Sequence, residues 1–173
     1  AKEASEMILL DNNFTTIVNA VKEGRGIYNN IKKFIKYMFS SNLGELLVIF
    51  VGLLLGLPLP VLAIQLLWIN LVTDGLPALA LSEDPIEDDV MRRKPRDPKS
   101  NIVEKKELLG LIVPAVLMCI GTLYLFKFYL DKNNLQYAQT IAFTTLMMFQ
   151  MFNVFNCKEV KFSKLFNNKF LIG

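Results

Sequence analysis

Four nearly uncharged runs of about 20 residues constrain this chain more than any other feature: Tyr37–Leu57, Leu59–Leu81, Leu108–Leu130 and Tyr137–Phe155. A helix rising about 1.5 Å per residue needs about 20 residues to cross a hydrocarbon core about 30 Å thick. Each run has that length, and buried helices of a large soluble protein do not usually repeat it four times. The hydrophobic content, 53% of 173 residues, also exceeds the roughly 45–50% of soluble domains. The expected fold is an all-α membrane helical bundle with four transmembrane helices.

Lysine and arginine are sorted along the chain. Six precede the first run, seven lie between the second and third, and four follow the fourth, while the turn at Gly56–Pro60 has none. By the positive-inside rule the N-terminus, the long middle loop and the C-terminus are cytoplasmic. The net charge of +3 is then a topological signal. The partner it implies is membrane lipid, with no nucleic acid. With no histidine, imidazole metal sites and His-based triads are excluded, and Cys119 and Cys157 are too few for a disulfide framework. The chain opens at Ala1 with neither an initiator Met nor a signal-peptide pattern, so it reads as a fragment of a longer protein. The lack of a targeting signal fits a prokaryotic cell membrane.

Residues 1–26 read as the C-terminal edge of a soluble α/β unit. Ala1–Met7 is helix-like, Ile8–Leu10 is a short strand candidate, and Asp11-Asn12-Asn13 is a turn and N-cap cluster. A helix over Phe14–Glu23 follows, stopped by Gly24 and Gly26. From Ile27 a stalk helix runs into the first span. Residues 27–81 therefore hold the stalk and the first two spans, an antiparallel hairpin closed by Leu57-Pro58-Leu59-Pro60. Residues 82–107 form a polar cytoplasmic loop, 108–157 the third and fourth spans, and 158–173 a second cytoplasmic segment. The acids Glu83, Asp84, Glu87, Asp88 and Asp89 lack the alternation and central Gly of an EF-hand and read as a salt-bridged loop.

The polar residues inside the spans carry the functional signal. The first span contains Ser40, Ser41, Asn42 and Glu45, the second Asn70, Thr73 and Asp74. A carboxylate at the bilayer centre costs about 2.5–3.5 kcal/mol on insertion scales, so it faces a protein interior and serves a function. Asn42 and Glu45 are spaced i, i+3, and Asn70, Thr73 and Asp74 are spaced i, i+3, i+4, so each group shares a helical face. Facing each other across the hairpin, they offer seven side-chain oxygens. A hard cation such as Ca²⁺ takes about 6–8 oxygens at about 2.3–2.6 Å, and two carboxylates neutralise one divalent ion. Because burial disfavours charge, protons are expected to replace the ion when it leaves.

Gly75-Leu76-Pro77 follows Asp74 directly. Pro77 lacks an N–H and its ring clashes with the carbonyl of Thr73, while Gly75 adds flexibility. The helix is expected to unwind there and free backbone carbonyls at membrane depth, as broken helices do at transporter ion sites.

Ser41-Asn42-Leu43-Gly44-Glu45, then Gln65-Leu66-Leu67-Trp68-Ile69-Asn70-Leu71-Val72-Thr73-Asp74-Gly75-Leu76-Pro77-Ala78, closely resembles the fifth and sixth transmembrane helices of P-type Ca²⁺-ATPases. Lys2–Glu23 is similar to the end of that family's phosphorylation domain, and Asp84-Pro85 with Met91–Ser100 to its loop between the sixth and seventh helices. The last two spans match mainly in pattern. The resemblance implies Asn42, Glu45, Asn70, Thr73 and Asp74 as ligands of a transported Ca²⁺. It also implies an ATP- and Mg²⁺-dependent cycle in which an aspartate is phosphorylated and soluble domains open and close the membrane site. That aspartate's Asp-Lys-Thr-Gly-Thr motif is absent here, as are the nucleotide-binding and actuator domains and the first four helices, one of which completes the family's ion site. The fragment alone is expected not to hydrolyse ATP, and its partners are those remaining domains of the same pump.

One departure concerns a second site. In two-site pumps of the family the eighth helix supplies a carboxylate, and the matching position here is Gln150. An amide offers an oxygen without charge, which resembles the plasma-membrane type of calcium pump and implies one Ca²⁺ per cycle. An interhelical hydrogen bond is the plainer role for Gln150. Pumps for Na⁺, Mn²⁺ or H⁺, and a non-enzymatic channel or broken-helix transporter, remain as alternatives on the sequence alone.

Overall fold

A computed structural model of the protein describes residues 13–87, 89–95, 107–132 and 134–158. Helix α1 runs from Phe14 to Leu54, α2 from Ala63 to Trp68, and α3 from Gly75 to Ser82, with a π-helical turn at Ile69–Thr73 between the last two. Helices α4, Leu108–Leu130, and α5, Leu135–Cys157, complete the described structure. Among the described residues there is no strand. The strand candidate Ile8–Leu10, and with it the start of the proposed α/β edge, lies outside them.

α1 is 41 residues long, about 60 Å at helical rise. Its start is capped by Asn13, whose side-chain oxygen accepts from the Thr15 N–H at 3.0 Å. The helix does not stop at Gly24 and Gly26, as the sequence leads one to expect, but passes through both. Interior glycine costs a helix only about 1 kcal/mol. Packing explains its presence at one of the two, since a Cβ on Gly26 would lie 2.5 Å from Cγ1 of Ile86. The stop comes instead at Gly56, whose φ of 70° only glycine adopts readily. Gly56 N–H bonds to Leu53 O and Leu57 N–H to Gly52 O, both at 3.0 Å, closing a Schellman cap before Pro58 and Pro60.

The second apolar run is an interrupted helix, and the interruption falls just before Asp74 rather than after it. The Asp74 N–H reaches Ile69 O at 2.8 Å, a five-residue step that widens the turn. α3 then restarts at Gly75 with Pro77 in its first turn, where a missing N–H costs little. The expected unwinding is thus a widened turn followed by a fresh helix start.

α1, α4 and α5 pack side by side around two apolar clusters. One joins Val48, Ile69, Met118, Leu123, Phe126, Ala142 and Leu146, and the other Tyr37, Ala78, Leu81, Val154 and Cys157. Small residues set the spacing between axes, as in membrane bundles generally. A Cβ on Gly44 would lie 2.9 Å from Met118 Sδ, and one on Gly121 2.6 Å from the Phe149 ring. Large apolar side chains, among them Phe50, Leu71, Leu79, Leu117 and Phe152, point outward. Among the described residues three helical segments can cross a membrane by length and composition: Phe14–Leu54, Ala63–Ser82 and Leu108–Leu130. α5 has the length, at 23 residues, but its Gln, Thr and Asn content keeps it below the apolarity of the others.

Candidate cation site

The polar centre sits where α1, the π turn and α5 meet. Glu45 is 6% exposed and both its oxygens are engaged by amides: Asn70 Nδ2 donates to Oε2 and Gln150 Nε2 to Oε1, each at 2.8 Å. Asn70 also donates to Leu66 O at 3.0 Å, which fixes the orientation of its amide. Asp74 is fully buried, and its Oδ1 accepts from the Tyr37 hydroxyl at 3.0 Å. The same hydroxyl lies 3.4 Å from the carbonyl of Thr73, the carbonyl that Pro77 cannot engage.

Among the described residues four buried side-chain oxygens are left over, Thr122 Oγ1 on α4 and three here. Ser41 Oγ, Asp74 Oδ2 and Gln150 Oε1 are buried without a hydrogen-bond partner. Buried polar groups are nearly always paired, so leftover oxygens, one of them on a carboxylate, need a physical reason. Among the described residues no Lys or Arg forms an ion pair with Glu45 or Asp74. The donor set is all oxygen and carries two acids, the chemistry a hard divalent cation selects. Among the described residues no three acids, cysteines or histidines cluster, so amides, hydroxyls and main-chain carbonyls must fill out any coordination shell.

Of the five residues picked from spacing, the structure gathers Glu45, Asn70, Thr73 and Asp74, with Gln150 beside them. Asn42 stands apart, exposed, with its amide donating back to Met38 O at 2.8 Å. The reason is geometric: an i, i+3 pair is offset by about 60° around a helix axis, enough to put Asn42 at the rim of the face. Tyr37 escaped the sequence reading, although Tyr37, Ser41, Glu45 and Val48 form one buried stripe at helical spacing. Asn153, one turn beyond Gln150, escaped it as well and donates to Ser40 Oγ at 2.6 Å.

Apolar outward faces around a buried centre of acids and amides define a polytopic helical membrane protein. Residues 58–173 match the family model described as cation transporting ATPase, C-terminus. The chain belongs to that family. Its relatives include a "Calcium-transporting ATPase" of Bacillus subtilis, 50% identical over 100% of this chain and 20% of the relative. A "Calcium-transporting ATPase" of Plasmodium falciparum is 46% identical over 91% of the chain and 12% of its own length. The human "Calcium-transporting ATPase type 2C member 1" is 39% identical over 91% and 17%. The chain thus spans a fifth or less of the length of these relatives.

Proposed function

We propose that this chain is the ion-translocating membrane part of an ATP-driven calcium pump that exports Ca²⁺ from the cytoplasm. The observation that carries the reading is the pair of buried carboxylates, Glu45 and Asp74, without cationic partners among the described residues and with leftover acceptor oxygens around them. The names of the relatives favour Ca²⁺ as the ion. Glu45, Asn70, Thr73 and Asp74 supply its inner oxygens, and Asn42 joins from the rim by releasing the Met38 carbonyl. The Thr73 carbonyl, freed by Pro77 and Gly75, adds a main-chain oxygen.

Two carboxylates balance one divalent ion, and Gln150 brings no third charge. One Ca²⁺ therefore moves per cycle, and protons replace it as it leaves. ATP and Mg²⁺ act on domains of the intact protein beyond this chain, which move the membrane site through the long rigid α1. α5 is the fourth span, with Gln150 and Asn153 turned towards α1 and Met148, Met151 and Phe152 outward. The chain sits in a cell membrane with both ends and the loop between α3 and α4 on the cytoplasmic side.

The test is cation-activated ATP hydrolysis by the intact protein reconstituted in liposomes. Activation by micromolar Ca²⁺, with a transport ratio near one Ca²⁺ per ATP, is the expected result. Activation by Na⁺ or Mn²⁺ in place of Ca²⁺ would move the assignment to that ion, and a ratio near two would overturn the single-site reading. Passive cation flux that needs no ATP would point to a channel.

A further inference from the structure

Away from the cation site, one carboxylate is shared by two buried lysines. Asp84, 3% exposed, follows α3 and accepts from Lys33 Nζ at 2.9 Å through Oδ2 and from Lys158 Nζ at 3.0 Å through Oδ1. Lys33 lies on α1 and Lys158 caps the end of α5, and both are 4% exposed. Asn30, one turn before Lys33, donates to the main chain of the same segment, to Asp84 O at 2.6 Å and Ser82 O at 3.1 Å. Glu87 supplies the second negative charge, 3.3 Å from Lys33.

The three elements joined here are the three that supply the cation site. α1 carries Lys33 and Glu45, the π turn carries Asn70 and is joined by Asp74 to α3, which runs into Asp84, and α5 carries Gln150 and ends at its cap Lys158. Along the helices the cluster stands about 18 Å from Glu45 and about 12 Å from Gln150, at 1.5 Å per residue. A buried pair is weak as a source of stability but directional, because each charge must keep its partner. A sliding of α1, α3 or α5 along its axis would leave a buried charge unpaired. The loop that Asp84 opens could have been tied down by exposed charges, as it is at Arg93, which pairs with Glu87 and Asp89. Burial at Asp84 instead places the tie between the helices.

We infer that Asp84, held by Lys33 and Lys158, is a positioning residue that sets the relative heights of the three cation-binding elements. It touches no ion itself and acts through the register of Glu45, Asn70, Asp74 and Gln150. The inference rests on the cation-site reading given above.

The experiment compares the Ca²⁺ dependence of phosphorylation by ATP in the intact protein and its variants. Asp84→Asn removes the charge that the two buried lysines share and is expected to raise the half-saturating Ca²⁺ roughly 3- to 30-fold, with the response to ATP at saturating Ca²⁺ unchanged. Asp84→Glu is expected to recover most of that loss. Asp89→Asn, on the exposed part of the loop, is expected to have no effect. Should Asp84→Asn fail to insert, the triple variant Lys33→Met, Asp84→Leu, Lys158→Met decides, because apolar replacement of a buried ion cluster generally keeps the fold. The same rise in half-saturating Ca²⁺ supports the clamp. Unchanged Ca²⁺ dependence in an inserted variant, or a fall confined to maximal rate, overturns it. A wild-type protein that shows no Ca²⁺ dependence overturns the calcium reading instead.

Discussion

At the scale of single residues, Glu45 and Gln150 form the most exposed test of the site. The Gln150 amide donates to Glu45 Oε1 in a fully buried setting. Gln150→Leu keeps the volume and removes the donor, which leaves a buried carboxylate oxygen unpaired. It also removes the unpartnered Gln150 Oε1 and the amide that orients Glu45 towards an ion, a loss expected to cost about 1–3 kcal/mol, or roughly 5- to 150-fold in binding. A Ca²⁺ titration of phosphorylation is expected to show an affinity loss in that range, and a loss below threefold would remove Gln150 from the site. Glu45, Asn70 and Asp74 were legible in the sequence because an acid or amide within an apolar run is an anomaly that demands a cause. Tyr37 was not, since an aromatic residue at the edge of a span is ordinary there. Its role appears only when the hairpin closes and its hydroxyl meets Asp74 at 3.0 Å. Asn42 was placed by spacing and by the family resemblance. The return bond to the Met38 carbonyl is a local competition that spacing does not reveal.

At the scale of elements, the run Leu108–Leu130 reads directly as α4, because its unbroken apolar length outweighs the interior Pro114, which a helix within a membrane bundle tolerates. The second run carries its own interruption, and Pro77 shows how. The sequence marks the residues that disturb the helix but not where the disturbance settles. A proline acts on the turn before it, and here the slack collects in the widened turn Ile69–Thr73. Pro77→Ala restores an N–H that can reach the Thr73 carbonyl. The helix then tightens, and Tyr37 loses a partner. The variant is expected to be at least as stable as the parent in thermal unfolding, yet to bind Ca²⁺ roughly tenfold to a hundredfold more weakly. A variant with lower stability and unchanged Ca²⁺ affinity would contradict the role given to this break. The reading of Gly24 and Gly26 as stops failed for a related reason. Glycine weakens a helix without ending it, and at Gly26 the close approach of Ile86 explains why a side chain is absent.

At the scale of the whole molecule, the bundle is built to be covered on its outside, with Phe50, Leu71, Leu79 and Phe152 turned away from the core. The three relatives named above are about five times as long as the stretch they share with this chain, or longer, and under the proposed function other parts of the intact protein and lipid divide that surface. The orientation proposed above rests on the charges in the loops. With Leu59→Cys in the turn after α1 and Arg92→Cys in the loop after α3, a membrane-impermeant thiol reagent is expected to label the first from outside the cell and the second only from the cytoplasmic side. Labelling of both from one side would exclude a hairpin that spans the membrane. The all-helical membrane bundle was legible because length and apolarity scale directly with membrane thickness. The tie between Asp84, Lys33 and Lys158 was not, since it joins residues 51 positions or more apart that meet only in the packed bundle.

The central claim is that Asp74, buried and with one oxygen unpaired, helps carry calcium across the membrane. It is tested most directly by ATP-dependent uptake of radiolabelled Ca²⁺ into inverted membrane vesicles that contain the intact protein or its Asp74→Asn variant. Uptake by the parent and none above background by the variant, at matched levels of inserted protein, is the predicted result. Equal uptake by both would contradict the account.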